Sequence, residues 1–318
     1  MSHKQDFGSD LGAIFMTGRR LSTWVPAGLR IGLGAGLIAG PAWAGSGQPT
    51  YKQIGFQEAV TPVAHDIHWM HDYVNVIIFA IAAFVLALML YVIWRFSEVR
   101  HPTPSRTTHN TLLEVMWTVI PVLVLVAIAI PSFKLLYFQY TFPPPDLTIK
   151  ATAHAWNWTH EYPDQGITVD SVMLQDNERQ DVIQSGFPAW QVPHNLAVDN
   201  DILVPVDKVV HVLITSSDVI HNWTIPSFGS KVDAVPGRIT ATWFKAEKEG
   251  IYFGQCSELC GKDHAFMPIA VRVVNQQTFS DWAAALKARD KKKAKEIIRS
   301  IAVNLPDQTK IAGDVRAQ

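Results

Sequence analysis

Two stretches of this 318-residue chain leave its fold little freedom: Val74–Trp94 and Val115–Phe133 contain no Asp, Glu, Lys or Arg. Each is close to the roughly 20 residues an α-helix needs to cross the apolar core of a bilayer, where backbone polar groups must be bonded internally. Between them, Arg95–Thr111 is polar and broken by Pro102 and Pro104, with Arg95, Arg100 and Arg106 set against Glu98. That positive excess assigns the link to the cytoplasmic side. The expectation is an antiparallel hairpin, with helices at about residues 70–95 and 112–136 and both outer flanks across the membrane.

A composition of 48% hydrophobic and 17% charged residues suits a membrane-associated chain, and a net charge of -1 hides local asymmetries. Residues 1–44 hold Arg19, Arg20 and Arg30, then the apolar run Ile31–Ala39, then Ala42-Trp43-Ala44 before Gly45. This order reads as a signal peptide cleaved after Ala44, since the run is too short to span comfortably. Residues 45–140 then form an N-terminal segment and the hairpin. His65, His68 and His71 precede the first expected helix at three-residue spacing, where packing or hydrogen bonding is the commoner role for interfacial histidines. Glu114 stands at the cytoplasmic edge of the second helix. A carboxylate there is favoured by the helix dipole, and an ionisable group beside hydrocarbon is also a functional candidate; both readings stand on the residues alone.

After Phe142-Pro-Pro-Pro145 the period changes. Leu147, Ile149, Ala151 and Ala153 alternate with polar neighbours, and short strand patterns recur at 201–206, 209–215, 239–244 and 268–274 between Pro, Gly and Asp breaks. Residues 146–275 therefore read as a small antiparallel β-barrel or sandwich. Both cysteines of the chain lie late in it, in Gly254-Gln-Cys256-Ser-Glu258-Leu-Cys260-Gly-Lys-Asp-His264-Ala-Phe-Met267. Two thiols, an imidazole and a thioether within twelve residues are a soft-metal ligand set. His221, at the end of an apolar strand pattern, offers a second imidazole, and a strand histidine joined to a Cys…His…Met loop is how blue-copper sites are assembled. A disulfide would close a small strained ring. Zinc would accept Cys2His2 but leave Met267 idle. A second bridging sulfur relative to a one-copper site points to two copper ions.

The segment Cys256-Ser-Glu-Leu-Cys260-Gly-Lys-Asp-His264-Ala-Phe-Met267 resembles the dinuclear copper (CuA) loop of cytochrome c oxidase subunit II, and the resemblance extends over roughly residues 51–275. It implies an α+β membrane protein: a two-helix transmembrane hairpin followed by an all-β, cupredoxin-like Greek-key barrel. It further implies that Cys256 and Cys260 bridge two coppers, that His221 and His264 are the terminal imidazoles, that Met267 is the weak axial ligand, and that the Glu258 carbonyl caps one copper. The Glu258 carboxylate would also reach a magnesium ion shared with subunit I, near Asp233 and Arg238. Trp156, in His154-Ala-Trp156-Asn-Trp158-Thr-His-Glu161-Tyr-Pro-Asp164, would receive the electron from cytochrome c. Asn157 departs from the family's tyrosine. Glu161 and Asp164 would belong to an acidic docking rim, and Glu114 would stand at the mouth of a proton channel.

Between Asp146 and Asn275 there are 16 Asp and Glu against 9 Lys and Arg, a difference of -7 that would steer a small basic partner. In a strand, Trp156 and Trp158 would point to one side. Residues 276–318 read as a basic helical tail, with a solvated helix over Asp281–Ile301. The expected function is that of subunit II of a proton-translocating cytochrome c oxidase in the bacterial inner membrane, with the copper domain in the periplasm. It would accept single electrons from a c-type cytochrome and pass them to haem in subunit I, where oxygen becomes water, beside subunit III. Alternatives are a copper-free quinol oxidase scaffold, a membrane-anchored copper carrier, and nitrous oxide reductase, whose propeller domain has no room here. No nucleic-acid partner is expected.

Overall fold

The computed structural model describes residues 47–50 and 52–304. The expected signal peptide, residues 1–44, lies outside them. Two long helices, α1 (Pro62–Arg95) and α2 (Thr111–Tyr140), are followed by ten strands and three further helices.

Helix α1 starts eight residues before the expected start at about residue 70, because its start signal is local. Thr61 is the N-cap, its Oγ1 accepting from Ala64 N at 3.1 Å, and Pro62 occupies the first turn, where no amide hydrogen is needed. His65, His68 and His71 are thus inside the helix rather than before it. The added turns tie the helix to the β domain: Thr61 Oγ1 donates to Phe228 O at 2.8 Å, Val60 N donates to Ser227 O at 3.1 Å, and Val60, Val63 and Ala64 are buried. Among the described residues, the rest of α1 and the whole of α2 bury no side chain. Apolar surface of that extent, on helices of 34 and 30 residues, is a membrane-spanning hairpin, with Tyr73 Oη donating to Ala127 O across it at 3.1 Å. At the far end of α2, Trp243 Nε1 donates to Gln139 O at 3.1 Å, so both helices are anchored to the domain.

The domain is a sandwich of two five-stranded sheets. One holds β1 (Leu147–His154), β2 (Asn157–Tyr162), β3 (Ile167–Ser171), β5 (Val209–Ser216) and β8 (Thr240–Lys245) in the order β3-β2-β1-β5-β8. The other holds β4 (Ile202–Pro205), β6 (His221–Ile225), β7 (Ser230–Ala234), β9 (Gly250–Cys256) and β10 (Pro268–Val274) in the order β4-β10-β9-β6-β7. The sandwich is not wholly antiparallel. β1 pairs with β5, and β4 with β10, in parallel, since the intervening chain crosses to the other sheet between them. Alternating Leu147, Ile149, Ala151 and Ala153 face Val210, Val212 and Ile214 in one buried cluster with Trp158, Trp223, Phe244 and Tyr252. This alternation is the sheet's period of two made into a core.

The second sheet is covered outside as well, so every residue of β10 is buried. Trp190, Leu196 and Val198 lie on Ile251, Phe253 and Ala270. Arg272 is 1% exposed and bonded to Asp201 Oδ2 through Nε at 3.0 Å and Nη2 at 2.7 Å, and to Gln191 Oε1 at 2.8 Å. A buried guanidinium without those partners would cost several kcal/mol, on the order of 3–5.

The described part of the C-terminal tail, residues 276–304, is not one solvated helix. It is a helix pair, α4 (Gln276–Lys287) and α5 (Lys291–Asn304), preceded in the chain by α3 (Asp176–Gln184). Phe279 and Trp282 pack on Tyr162, Ala294 and Ala302 are buried, and Gln191 Nε2 donates to Ala302 O at 2.8 Å. The lysines lie on the exposed face only. Reading the charges alone hid the apolar stripe of Ala294, Ile297, Ile298 and Ile301, which is spaced to face the core.

Candidate metal centre

One end of the sandwich gathers the residues singled out in the sequence. Cys256 ends β9, Met267 precedes β10, the loop 257–267 joins them, and His221 opens β6. β9 must approach β6 closely there. A Cβ on Gly254 would lie 1.8 Å from Thr224 O, so only glycine lets Trp223 pair with Cys256. That register puts His221 just beyond the last pair.

The cysteines are free thiols with sulfurs 3.8 Å apart. His221 Nδ1 is 3.9 Å from Cys256 Sγ, and His264 Nδ1 is 3.5 Å from Cys260 Sγ. Met267 Sδ is 3.6 Å from Cys260 Sγ, and Glu258 O is 3.3 Å from Cys256 Sγ. Among the described residues, His221, Cys256 and Cys260 gather their ligand atoms within 4.8 Å of one another. His264 attaches from the Cys260 side. Two sulfurs in the middle with an imidazole against each and a thioether beside them form a soft-metal donor set.

Burial, and then the neighbouring Cys256, push the Cys260 thiol up to about 12, so a thiolate here needs positive charge beside it. His221 is fully buried, and its Nε2 lies 2.8 Å from Asp218 Oδ1, which leaves Nδ1 free to face the sulfur. Burial alone would raise the Asp218 pKa, but hydrogen bonds from His221, Val219 N and Ala155 N hold it below the ordinary carboxylate value. Sequence reading passed over Asp218, although its place three residues before His221 was a signal for a carboxylate behind a ligand histidine.

Trp156 and Trp158 do not share a strand face. Trp156 lies in the two-residue turn between β1 and β2, half-buried, and its Nε1 donates to Cys260 O at 3.2 Å. Trp158, fully buried on β2, donates to Met267 O at 3.1 Å and lies edge-on to His221. Two indoles thus brace the ligand loop. Glu161 is ion-paired with Lys150 at 2.8 Å well along β2, and Asp164 lies in the turn at the opposite end of that strand from Trp156. The acidic groups beside Trp156 are Asp176 and Asp263. Asn222 Nδ2 donates to Asp233 Oδ1 at 2.6 Å, while Glu258 is exposed and Arg238 lies with Asp233 on a cavity that reaches α1 and α2. Glu114 is in the first turn of α2, far along the chain from this end.

The same two halves emerge from comparison with known proteins. Residues 49–135 match the family described as cytochrome C oxidase subunit II, transmembrane domain, and residues 147–274 the one described as cytochrome C oxidase subunit II, periplasmic domain. Cytochrome c oxidase subunit 2 of Cereibacter sphaeroides is 45% identical over 266 residues, which are 78% of this chain and 87% of that protein. The Zea mays protein of the same name is 41% identical over 239 residues, 73% of this chain and 88% of its own length. Among solved structures, the periplasmic domain of subunit II of cytochrome oxidase from Bradyrhizobium japonicum is 49% identical, covering 47% of this chain and 99% of that one with a TM-score of 0.41. With the hairpin and the copper-type domain both matched, the chain belongs to the cytochrome c oxidase subunit II family, one subunit of a haem-copper oxidase.

Proposed function

We propose that this chain accepts single electrons from a c-type cytochrome and relays them to the haem of subunit I in a proton-translocating oxidase of the bacterial inner membrane, with subunit III alongside. The observation that carries the reading is the pair of thiols 3.8 Å apart with one imidazole against each. His221, Cys256, Cys260, His264, Met267 and the Glu258 carbonyl would hold two copper ions, which when bound supply a one-electron couple.

The protein's own contribution is stillness. Asp218 fixes the His221 ring, Trp158 fixes the Met267 carbonyl, and the Gly254 contact fixes the strand that carries Cys256. Ligands locked by such neighbours keep one geometry in both redox states, so little rearrangement accompanies each transfer. Trp156 would take the electron, because its Nε1 is hydrogen-bonded to the carbonyl of a ligand residue at 3.2 Å.

Residues 1–44 would be removed on export, residues 45–140 would anchor the chain, and the domain 146–275 would face the periplasm with residues 276–318 as its helical cover. Glu161 and Asp164 would form part of the outer docking rim. The Glu258 carboxylate would reach a magnesium ion at the subunit I boundary. Glu114 would stand where protons approach subunit I.

Metal analysis with electron paramagnetic resonance tests the core of the proposal. Two coppers per chain with a mixed-valence signal are expected, and a fully loaded protein holding zinc or a single copper overturns it. Trp156→Phe should slow copper reduction by cytochrome c far more than it weakens cytochrome binding; equal losses would make Trp156 a packing residue.

A further inference from the structure

The ligand loop carries a cation on the outer side of Trp156. Gly261 has φ +124°, and a Cβ built there would stand 2.9 Å from Trp156 Cζ2, so the loop backbone lies flat against the indole. Lys262, the next residue, holds its Nζ over the ring at 5.6 Å from the centroid. Asp263 Oδ2 is 3.7 Å from the same nitrogen. Each contact is weak at this exposure, and together they favour the position of the ammonium above the indole. The Lys262 side chain is 78% exposed, so a docking partner meets it directly. The other titratable groups of the hollow beside Trp156 are Asp176, His194 and Asp263, with His194 Nδ1 2.8 Å from Asp176 Oδ1.

This puts a positive point inside a negative field. Sixteen acidic against nine basic residues between Asp146 and Asn275 draw a basic donor from a distance. At contact, the ring that must face the donor's haem edge is covered by an ammonium. A lysine opposite that point is repelled, whereas a carboxylate or an uncharged apolar patch is not, and repulsion of the wrong partner is how charged interfaces gain selectivity.

We propose that Lys262 is a specificity-determining residue of the docking face, selecting c-type cytochromes that are basic around the rim but carry a carboxylate or an uncharged patch where they meet Trp156. This rests on the reading that Trp156 takes the electron. The test uses the assembled oxidase as wild type, Lys262→Gln, Lys262→Glu and Trp156→Phe. Two donors are compared: a basic cytochrome c, and the same protein with one lysine beside its exposed haem edge replaced by glutamate. Stopped-flow rates of copper reduction are read at low ionic strength.

Lys262→Gln should raise the rate with the basic donor about threefold and lower it with the glutamate-bearing donor by a similar factor, as for unit charges about 7 Å apart in water. Lys262→Glu should widen both changes, the copper spectrum should not move, and high salt should erase the differences. Trp156→Phe should slow both donors alike. If Trp156→Phe leaves both rates intact, the role of Trp156 fails and the proposal with it. If Trp156→Phe slows both but the Lys262 variants shift the two donors together or not at all, Lys262 is no specificity determinant.

Discussion

Replacing Asp218 should separate two things that its carboxylate now holds together. Oδ1 accepts from His221 Nε2 at 2.8 Å, Val219 N at 2.6 Å and Ser216 Oγ at 3.2 Å, while Oδ2 accepts from Ala155 N at 2.6 Å, in the turn that bears Trp156. Asp218→Ala removes both sets. A hydrogen bond to a charged group is worth roughly 1.5–3 kcal/mol, so copper affinity should fall about 10-fold to 100-fold, the usual size of a loss behind a ligand histidine. Asp218→Asn is more selective, because a carboxamide has a single acceptor oxygen. That oxygen should stay with the three donors at the Oδ1 position, which turns the amide NH2 toward Ala155 N–H. Copper affinity should then stay within about threefold of wild type, while the Trp156 turn is pushed away and reduction by cytochrome c slows. Competition against a copper chelator reads the first quantity and stopped-flow reduction the second. An Asp218→Ala protein that binds copper as tightly as wild type would refute the bridging role, as would an Asn variant that loses copper but keeps fast reduction.

Three other perturbations have definite outcomes. His160 is 1% exposed, neither of its ring nitrogens has a hydrogen-bond partner among the described residues, and burial pushes its pKa down to about 3 against an upward pull from Asp170. The unfolded chain therefore binds the extra proton first, so this group's stabilising effect is complete above about pH 6.5 and shrinks by about 1.4 kcal/mol per pH unit as pH falls toward 3. His160→Phe should flatten that slope; urea titrations of the β domain at pH 7.5 and 5.0 should show the variant losing about 2 kcal/mol less than wild type, and equal losses would contradict the assignment. Gly261→Ala combines a left-handed φ with a 2.9 Å approach to Trp156, so it should displace the indole at a cost of about 1–3 kcal/mol and slow reduction by cytochrome c without altering the copper spectrum; unchanged indole fluorescence would count against it. Glu114→Gln should impair proton uptake by the assembled oxidase with the copper spectrum intact, and normal turnover would reduce Glu114 to a helix-end carboxylate.

Much of the architecture could be read in advance because its causes are local. An uncharged run near 20 residues has few soluble outcomes, and β10 was bounded correctly at Pro268–Val274 by its breaks. The start of α1 is set by Thr61-Pro62 and not by hydropathy, since its first turns are amphipathic and lie outside the apolar run. α5 was misread for the opposite reason: its lysines dominate the composition while Ala294, Ile297, Ile298 and Ile301 do the packing. The shared strand face assumed for Trp156 and Trp158 failed because two residues were spent on a turn, which strand periodicity does not reveal.

Ligand identity was thus a property of the chain itself. Cys256, Cys260, His264 and Met267 lie within one loop, and thiol, imidazole and thioether chemistry does not depend on fold. The arrangement of that chemistry was not. Only the packed sheets decide that His221, 35 residues upstream, abuts Cys256 rather than Cys260, that Asp218 holds both its ring and the Trp156 turn, and that Lys262 covers an indole from another sheet. These contacts join residues far apart in sequence, and their registers are fixed by close approaches such as Gly254 against Thr224, which no linear pattern encodes.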